Sequence, residues 1–213
     1  MVRVGILGAT GAVGQRLVQL LDPHPEFEIA ALTASGESAG RSYREAAKWG
    51  LDVPVPDSVA DITVVETDPE ALPNDVPLLF SSLPSSVGAA VEPGLAEAGY
   101  VVSSNSSNAR MAEDVPLVIP EVNADHVGLI EVQRDDRGWD GALLKNPNCS
   151  TITMVPPLAA LDRFGLERVT VSTLQAVSGA GYSGVTSMEI LDNVLPHIGG
   201  EEEKMETESR KLL

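Results

Sequence analysis

Short apolar runs alternate with helix-spaced apolar positions through the first two-thirds of the chain. Residues 2–7 read as a short buried strand. Val13, Leu17, Leu20 and Leu21 recur at helical spacing, and that pattern stops at Asp22-Pro-His-Pro25. Residues 28–33, 62–66, 76–80 and 100–102 read as further strands, and residues 87–98 as a helix closed by Gly99. Strand, helix, strand repetition predicts a parallel sheet covered on both faces. Near residue 140 the pattern changes. Residues 141–145 form a strand, Asn146-Pro-Asn-Cys149 a turn, and residues 150–164 a helix that Pro156-Pro157 should break or kink. Residues 168–176 alternate as a long strand, residues 185–194 read as a helix, and residues 201–213 are strongly helical. Arg210 and Lys211 fall late in that last stretch, where the macrodipole prefers cations. It stops at Leu213 with neither glycine cap nor polar tail, which reads as a cut inside an element, with a frayed natural terminus as the alternative.

Composition narrows the field. With 43% apolar and 21% charged residues the chain is globular, and no apolar run reaches the ~18 residues of a membrane span. One cysteine excludes an internal disulfide and a multi-cysteine metal cluster. No metal site is expected, and no signal peptide is evident, so the expected compartment is cytoplasmic. Fourteen cations against 31 acids give a formal net charge of −17. That surface repels nucleic acid and anionic membranes, so neither is an expected partner. Only Lys48, Lys145, Lys204 and Lys211 are lysines. An acid-rich, lysine-poor surface fits a salt-rich, halophilic cytosol, where screening removes self-repulsion, with a merely acidic mesophile protein as the alternative.

The chemistry starts at Gly8-Ala-Thr-Gly11-Ala-Val-Gly14, which follows the first strand and opens the first helix. Glycines let backbone approach a diphosphate, and the helix N-terminus supplies N–H donors. The expected fold over residues 1–147 is therefore a Rossmann-like α/β doubly wound domain. An NAD site usually carries an acid at the tip of the second strand. Here the strand ends Leu32-Thr33-Ala34-Ser35, so Ser35, Ser38 and Arg41 could hold a 2′-phosphate, which favours NADP; Glu37 weighs against it. Ser81-Ser82-Leu83-Pro84 follows a buried strand at the carboxyl edge, where ligands bind. Cys149 sits at the start of a helix, a location that favours the thiolate. A nucleophilic cysteine beside a nicotinamide points to acyl-group oxidoreduction through a thioester.

Seven stretches, taken in order and spacing, resemble aspartate-semialdehyde dehydrogenases of the archaeal and fungal branch. They are Gly8 to Gly14, Ser81 to Pro84, Ile119-Pro-Glu-Val-Asn123, Gly138-Trp-Asp-Gly141, Asn146-Pro-Asn-Cys-Ser-Thr151, Gln175-Ala-Val-Ser-Gly-Ala-Gly181 and Glu201-Glu-Glu-Lys204. The resemblance implies NADP-dependent conversion of L-aspartyl 4-phosphate to L-aspartate 4-semialdehyde, with Cys149 as nucleophile. It implies cofactor contacts at Thr10, Gly11, Ala12, Val13, Ala34, Ser35, Ser178, Gly179, Ala180, Gly181 and Tyr182, beside Gly8, Ser38, Ser81 and Ser82, which the glycine turn, the strand tip and the sheet edge themselves point to. By the same likeness Gln175 orients substrate, Arg110 binds phosphate, and Glu201 and Lys204 contact the substrate amine and phosphate. Residues 148–213 are then the first part of an incomplete α+β catalytic and dimerisation domain, and a homodimer or homotetramer is expected. The family's general-base histidine and a substrate arginine match no position here, since His24, His126 and His197 lie elsewhere. That implies a continuation beyond Leu213. Two rivals stay open: N-acetyl-glutamyl-phosphate reductase, whose motif usually has glycine where Asn148 stands, and a truncated NADP-binding module without activity. A Tyr-x-x-x-Lys short-chain reductase is a poor third reading, because Tyr43, Tyr100 and Tyr182 lack the lysine four positions on.

Overall fold

The computed structural model describes residues 1–182 and 184–213. Six strands, β1 (Val2–Leu7), β2 (Phe27–Ala34), β3 (Val65–Glu66), β4 (Leu78–Ser81), β5 (Val101–Ser104) and β6 (Ala142–Lys145), form one sheet in the order β3-β2-β1-β4-β5-β6. All five pairings are parallel. The order reverses between β2-β1 and β1-β4, so a crevice opens beyond the carboxyl ends of β1 and β4, where doubly wound sheets bind ligands.

The helices are α1 (Ala12–Leu21), α2 (Tyr43–Ala46), α3 (Asp57–Ala60), α4 (Ser85–Glu97), α5 (Pro120–Asn123), α6 (Leu129–Arg137), α7 (Cys149–Asp162), α8 (Ser187–Ile190) and α9 (Glu201–Leu212). Period-two alternation sends Val4 and Ile6 to one face of the sheet, against Val18 and Leu21 of α1. Leu7, Leu79, Val102 and Leu143 pack with Leu95 and Ala96 of α4 on the other. Each such fully buried aliphatic chain contributes roughly 1.5–3 kcal/mol before entropy. A third cluster, Leu117, Ile119, Val155 and Leu212, joins α7 and α9 to the loop before β6.

Several expectations change. Residues 62–66 shorten to β3, because only Thr33 and Ala34 offer it ladder partners. Pro156 and Pro157 lie inside a helix that runs without a break from Cys149 to Asp162. The helix expected over 185–194 contracts to α8. Residues 168–176 form no strand: a strand is made by its ladder, and none of the described residues pairs with them. Val169, Val171 and Leu174 of that stretch stand exposed. Helix α6 falls in a stretch for which the sequence pattern marks no element; it closes at Gly138, which takes the left-handed conformation at φ +67°.

Candidate active site

The turn after β1 is built from backbone. Gly8 takes φ +74°. Gly11 caps α1 without a side-chain hydrogen bond. Among the described residues, the N–H groups of Ala12, Val13 and Gly14 meet no acceptor. Gly14 is required by close approach: a Cβ there would lie 2.2 Å from the Gly8 carbonyl oxygen and 2.7 Å from Ala9 Cα. Bare N–H groups at a helix start, over a turn that admits no side chain, fit a diphosphate.

Gln15 fastens this turn. Its fully buried amide donates to the carbonyls of Thr10 (2.9 Å) and Lys48 (3.1 Å). Its oxygen accepts from Gly50 N–H (2.9 Å) and from the Tyr182 hydroxyl (3.1 Å). Tyr182 thus brings the stretch holding Ser178, Gly179, Ala180 and Gly181 back to the nucleotide turn, although that stretch is itself exposed. The buried Tyr43 hydroxyl donates to the Ala9 carbonyl (2.9 Å), and burial, reinforced by Tyr182, pushes its phenol well above the usual range. At the tip of β2, Ala34 is buried, Ser35 exposed and Ser38 half-buried. The Arg41 guanidinium donates to the Glu45 carbonyl. An acid does reach this region, from β3: a Cβ on Gly36 would meet a Glu66 carboxylate oxygen at 3.1 Å.

Under the carboxyl edge lies a polar cluster. The strand register aligns Ser81 with Ser104 and Ser104 with Lys145. All three reach the Glu92 carboxylate of α4: Ser81 Oγ at 2.8 Å, Ser104 Oγ at 2.6 Å and Lys145 Nζ at 2.5 Å. Ser106 Oγ joins Glu92 at 3.0 Å, and Lys145 Nζ also donates to it at 2.8 Å. Glu92 and Lys145 are fully buried. Burial pushes the Glu92 carboxyl up, but hydrogen bonds and the charge of Lys145 outweigh it and hold Glu92 below the carboxylate range. Ser81, an expected cofactor contact, therefore spends its hydroxyl inward. Ser82 donates to the Leu7 carbonyl at 2.9 Å, tying its turn to β1.

Cys149 is exposed at the first position of α7. Asn148 caps the helix, its side-chain oxygen accepting from the N–H groups of Ser150 (2.9 Å) and Thr151 (3.1 Å). The sulfur lies 4.0 Å from a Glu201 carboxylate oxygen and 4.0 Å from the Gln175 amide oxygen. Glu201 accepts from Ser150 Oγ (2.7 Å), Gln175 Nε2 (2.9 Å) and Asn148 Nδ2 (2.9 Å). Burial raises the Glu201 carboxyl; those bonds and the charge of Lys204 overcome it and hold the group ionised, below the usual range. Cys149, Gln175 and Glu201, far apart in sequence, thus share one site. His197 does not join it in any described bond; its ring faces Glu202 at 3.7 Å, both exposed.

Arg110, expected at a phosphate, is buried. Its Nη1 donates to Glu208 (2.8 Å) and its Nη2 to the Asn105 carbonyl (2.6 Å), while Nε is buried with no partner among the described residues. Ala109, immediately before it, is held at φ +60°, a conformation that strains a residue with a Cβ. Glu208 also accepts from Asn148 N–H at 2.6 Å. Lys211 Nζ donates to the carbonyls of Arg110, Ala112 and Val115 at 2.8, 2.6 and 2.8 Å. Glu208, Lys211, Glu92, Lys145 and Gln15 went unseen in the sequence. One signal was there: Glu201, Lys204, Glu208 and Lys211 are spaced three, four and three apart, one face of one helix.

A family model described as the semialdehyde dehydrogenase NAD binding domain matches residues 3–130, and one for the semialdehyde dehydrogenase dimerisation domain matches residues 156–213. The chain belongs to the semialdehyde dehydrogenase family. Strands β2 to β5 lie within the first match and α9 within the second, while Asn148 and Cys149 fall between the two. An aspartate-semialdehyde dehydrogenase of Methanothermobacter thermautotrophicus is 59% identical over all of this chain, and one of Archaeoglobus fulgidus 53% identical over 99% of it. The chain spans 61% of the length of each of these curated relatives. Among solved structures, aspartate semialdehyde dehydrogenase with NADP from Candida albicans superposes with a TM-score of 0.86 at 42% identity, over 99% of this chain and 60% of that one. The Vibrio cholerae aspartate semialdehyde dehydrogenase II complexed with ASA gives a TM-score of 0.76 at 29% identity, over all of this chain and 66% of that one. No described helix is long and apolar enough to cross a membrane.

Proposed function

We propose that the protein is an NADP-dependent aspartate-semialdehyde dehydrogenase, reducing L-aspartyl 4-phosphate to L-aspartate 4-semialdehyde in aspartate-family amino-acid biosynthesis. The observation that carries this reading is the meeting of Cys149, Gln175 and Glu201 at the capped start of α7. Residues 1–147 hold the nucleotide and residues 148–213 bring the nucleophile and the substrate groups.

The Cys149 sulfur attacks the acyl carbon, the carbon–oxygen bond to phosphate breaks, and a thioester forms. When bound, NADP in its reduced form would supply the hydride that takes this carbonyl to the aldehyde level, the carbon–sulfur bond breaking to return the Cys149 thiolate. Glu201, held anionic, receives the substrate ammonium. Gln175, anchored through its amide nitrogen to Glu201, keeps the acyl group beside the sulfur. The buried, unmet Arg110 Nε–H and its planar guanidinium suit a phosphoryl group, and Lys204 adds a second cation. Bare N–H groups at Ala12 and Val13 suit the nucleotide diphosphate, with Ser35 and Ser38 at the ribose 2′-phosphate and Tyr182 beside the turn.

The relatives' names and the dimerisation match over 156–213 support a homo-oligomer, a dimer or tetramer. The acidic surface supports a cytoplasm rich in salt. The deciding experiment is formation of reduced nucleotide from NADP, L-aspartate 4-semialdehyde and inorganic phosphate. Turnover that requires all three, with NADP preferred over NAD, is expected. Turnover without phosphate, or only with the N-acetyl-glutamate analogue, overturns the reading.

A further inference from the structure

Glu208 stands between two parts of the site that sequence separates by 98 and 60 residues. One carboxylate oxygen takes the Arg110 guanidinium at 2.8 Å; the other takes the backbone N–H of Asn148, next to Cys149, at 2.6 Å. Arg110 is 7% exposed and Glu208 2%. Both bonds are charge-assisted and shielded from water, the setting in which geometry is held most firmly. Among the described residues, no other side chain hydrogen-bonds both Arg110 and Asn148 or Cys149.

We propose that Glu208 is a positioning residue: its carboxylate fixes where the phosphate-binding arginine stands relative to the cysteine turn. This rests on the reading of Arg110 as the phosphoryl-binding group. Glu208 touches neither sulfur nor substrate. It acts by occupying one end of the guanidinium, so that Nε, left without an acceptor, remains for the incoming anion. Its negative charge also offsets Arg110 while the site is empty, and the same oxygen pair orders the residue that caps α7. Helix α9 does not depend on this contact for its place. Lys211 grips three carbonyls of the 110–115 loop, and Leu212 is buried against Val155.

The test is steady-state kinetics of Glu208→Gln and Glu208→Asp in the native protein, run in the semialdehyde-oxidising direction with phosphate, semialdehyde and NADP varied in turn. Gln keeps the shape, loses the charge and turns an N–H group toward one of two donors. The loss of one charge-assisted bond is then expected to raise the phosphate KM by about ten- to a hundredfold. The NADP KM stays within about twofold, because α1 and its turn are untouched. Asp keeps the charge but is one methylene short of spanning both donors, and is expected to restore part of the phosphate KM. A uniform loss of kcat with phosphate KM unchanged in either folded variant overturns the proposal. If the unmodified protein shows no phosphate-dependent turnover, it is the functional reading that fails, and the proposal with it. Should the Gln variant not fold, the Asp variant alone decides: an unaltered phosphate KM there overturns the assignment.

Discussion

At Cys149 the local geometry is set by its neighbours rather than by the cysteine. Asn148 caps the helix through two N–H groups and passes its own amide to Glu201, so the sulfur is carried on a fixed corner. Replacing Cys149 with Ser keeps that corner and removes the thiolate. The C149S variant should lose at least about a thousandfold in kcat for reduced-nucleotide formation, as for other covalent nucleophiles, while calorimetric NADPH affinity stays unchanged. Of the residues that meet at this corner, the lone cysteine was legible from its place at a helix start, whereas Gln175 and Glu201 were legible only through the family resemblance. Glu208 was not legible. On paper it is one of several acids on an acidic helix, and only the fold shows that it is buried against Arg110. Ser81 shows the opposite failure: its position at the strand end was right, yet its hydroxyl turns inward to Glu92.

Among elements, parallel register does most of the organising. Because β4, β5 and β6 pair in phase, Ser81, Ser104 and Lys145 fall in one row, and α4 completes the row with Glu92. Such a pair is costly to break from one side. Lys145→Met should lower unfolding free energy by about 3–5 kcal/mol, since it strands a buried carboxylate, and the Lys145→Met, Glu92→Met double variant should recover much of that loss. Denaturant titration of the three proteins checks it; an additive double variant would contradict the coupling. The strands themselves were readable from apolar runs bounded by Gly and Pro. What misled was 168–176, where alternation is strand-like but no neighbour supplies hydrogen bonds. The prolines of α7 misled too. Pro157 lacks an N–H, as Pro156 does, but the helix continues past both.

For the whole molecule, charge sets the conditions of stability. Glu92, Glu201 and Asp114 all have carboxyls held below their ordinary range; for Asp114 the hydrogen bond from Arg137 does this against opposing burial. A group with a lower value when folded stabilises the fold above its unfolded value, and that contribution is lost as pH falls through the folded one. The denaturation midpoint should therefore be flat near neutrality and drop below about pH 4. The net charge of −17 acts separately. Screening of like charges should raise the thermal midpoint as potassium chloride increases from about 0.1 M to molar levels, beyond the point where the Debye length falls to ~3 Å. An identical midpoint at both concentrations would contradict the reading of a salt-adapted surface. The excess of acids itself is read from composition without any fold.

The grip of Gln15 also gives the protein a built-in optical probe. Only two tryptophans are present. Trp49 adjoins Gly50, whose N–H is bound by Gln15, and its ring meets Tyr43 edge-on at 6.2 Å. Trp139 lies under the Arg137 guanidinium, 4.7 Å away, in the connection between α6 and β6. Occupancy of the nucleotide turn is thus expected to change the emission of the first indole and leave the second silent. A Trp139→Phe protein should then report binding by fluorescence alone, and a Trp49→Phe protein should go dark to it.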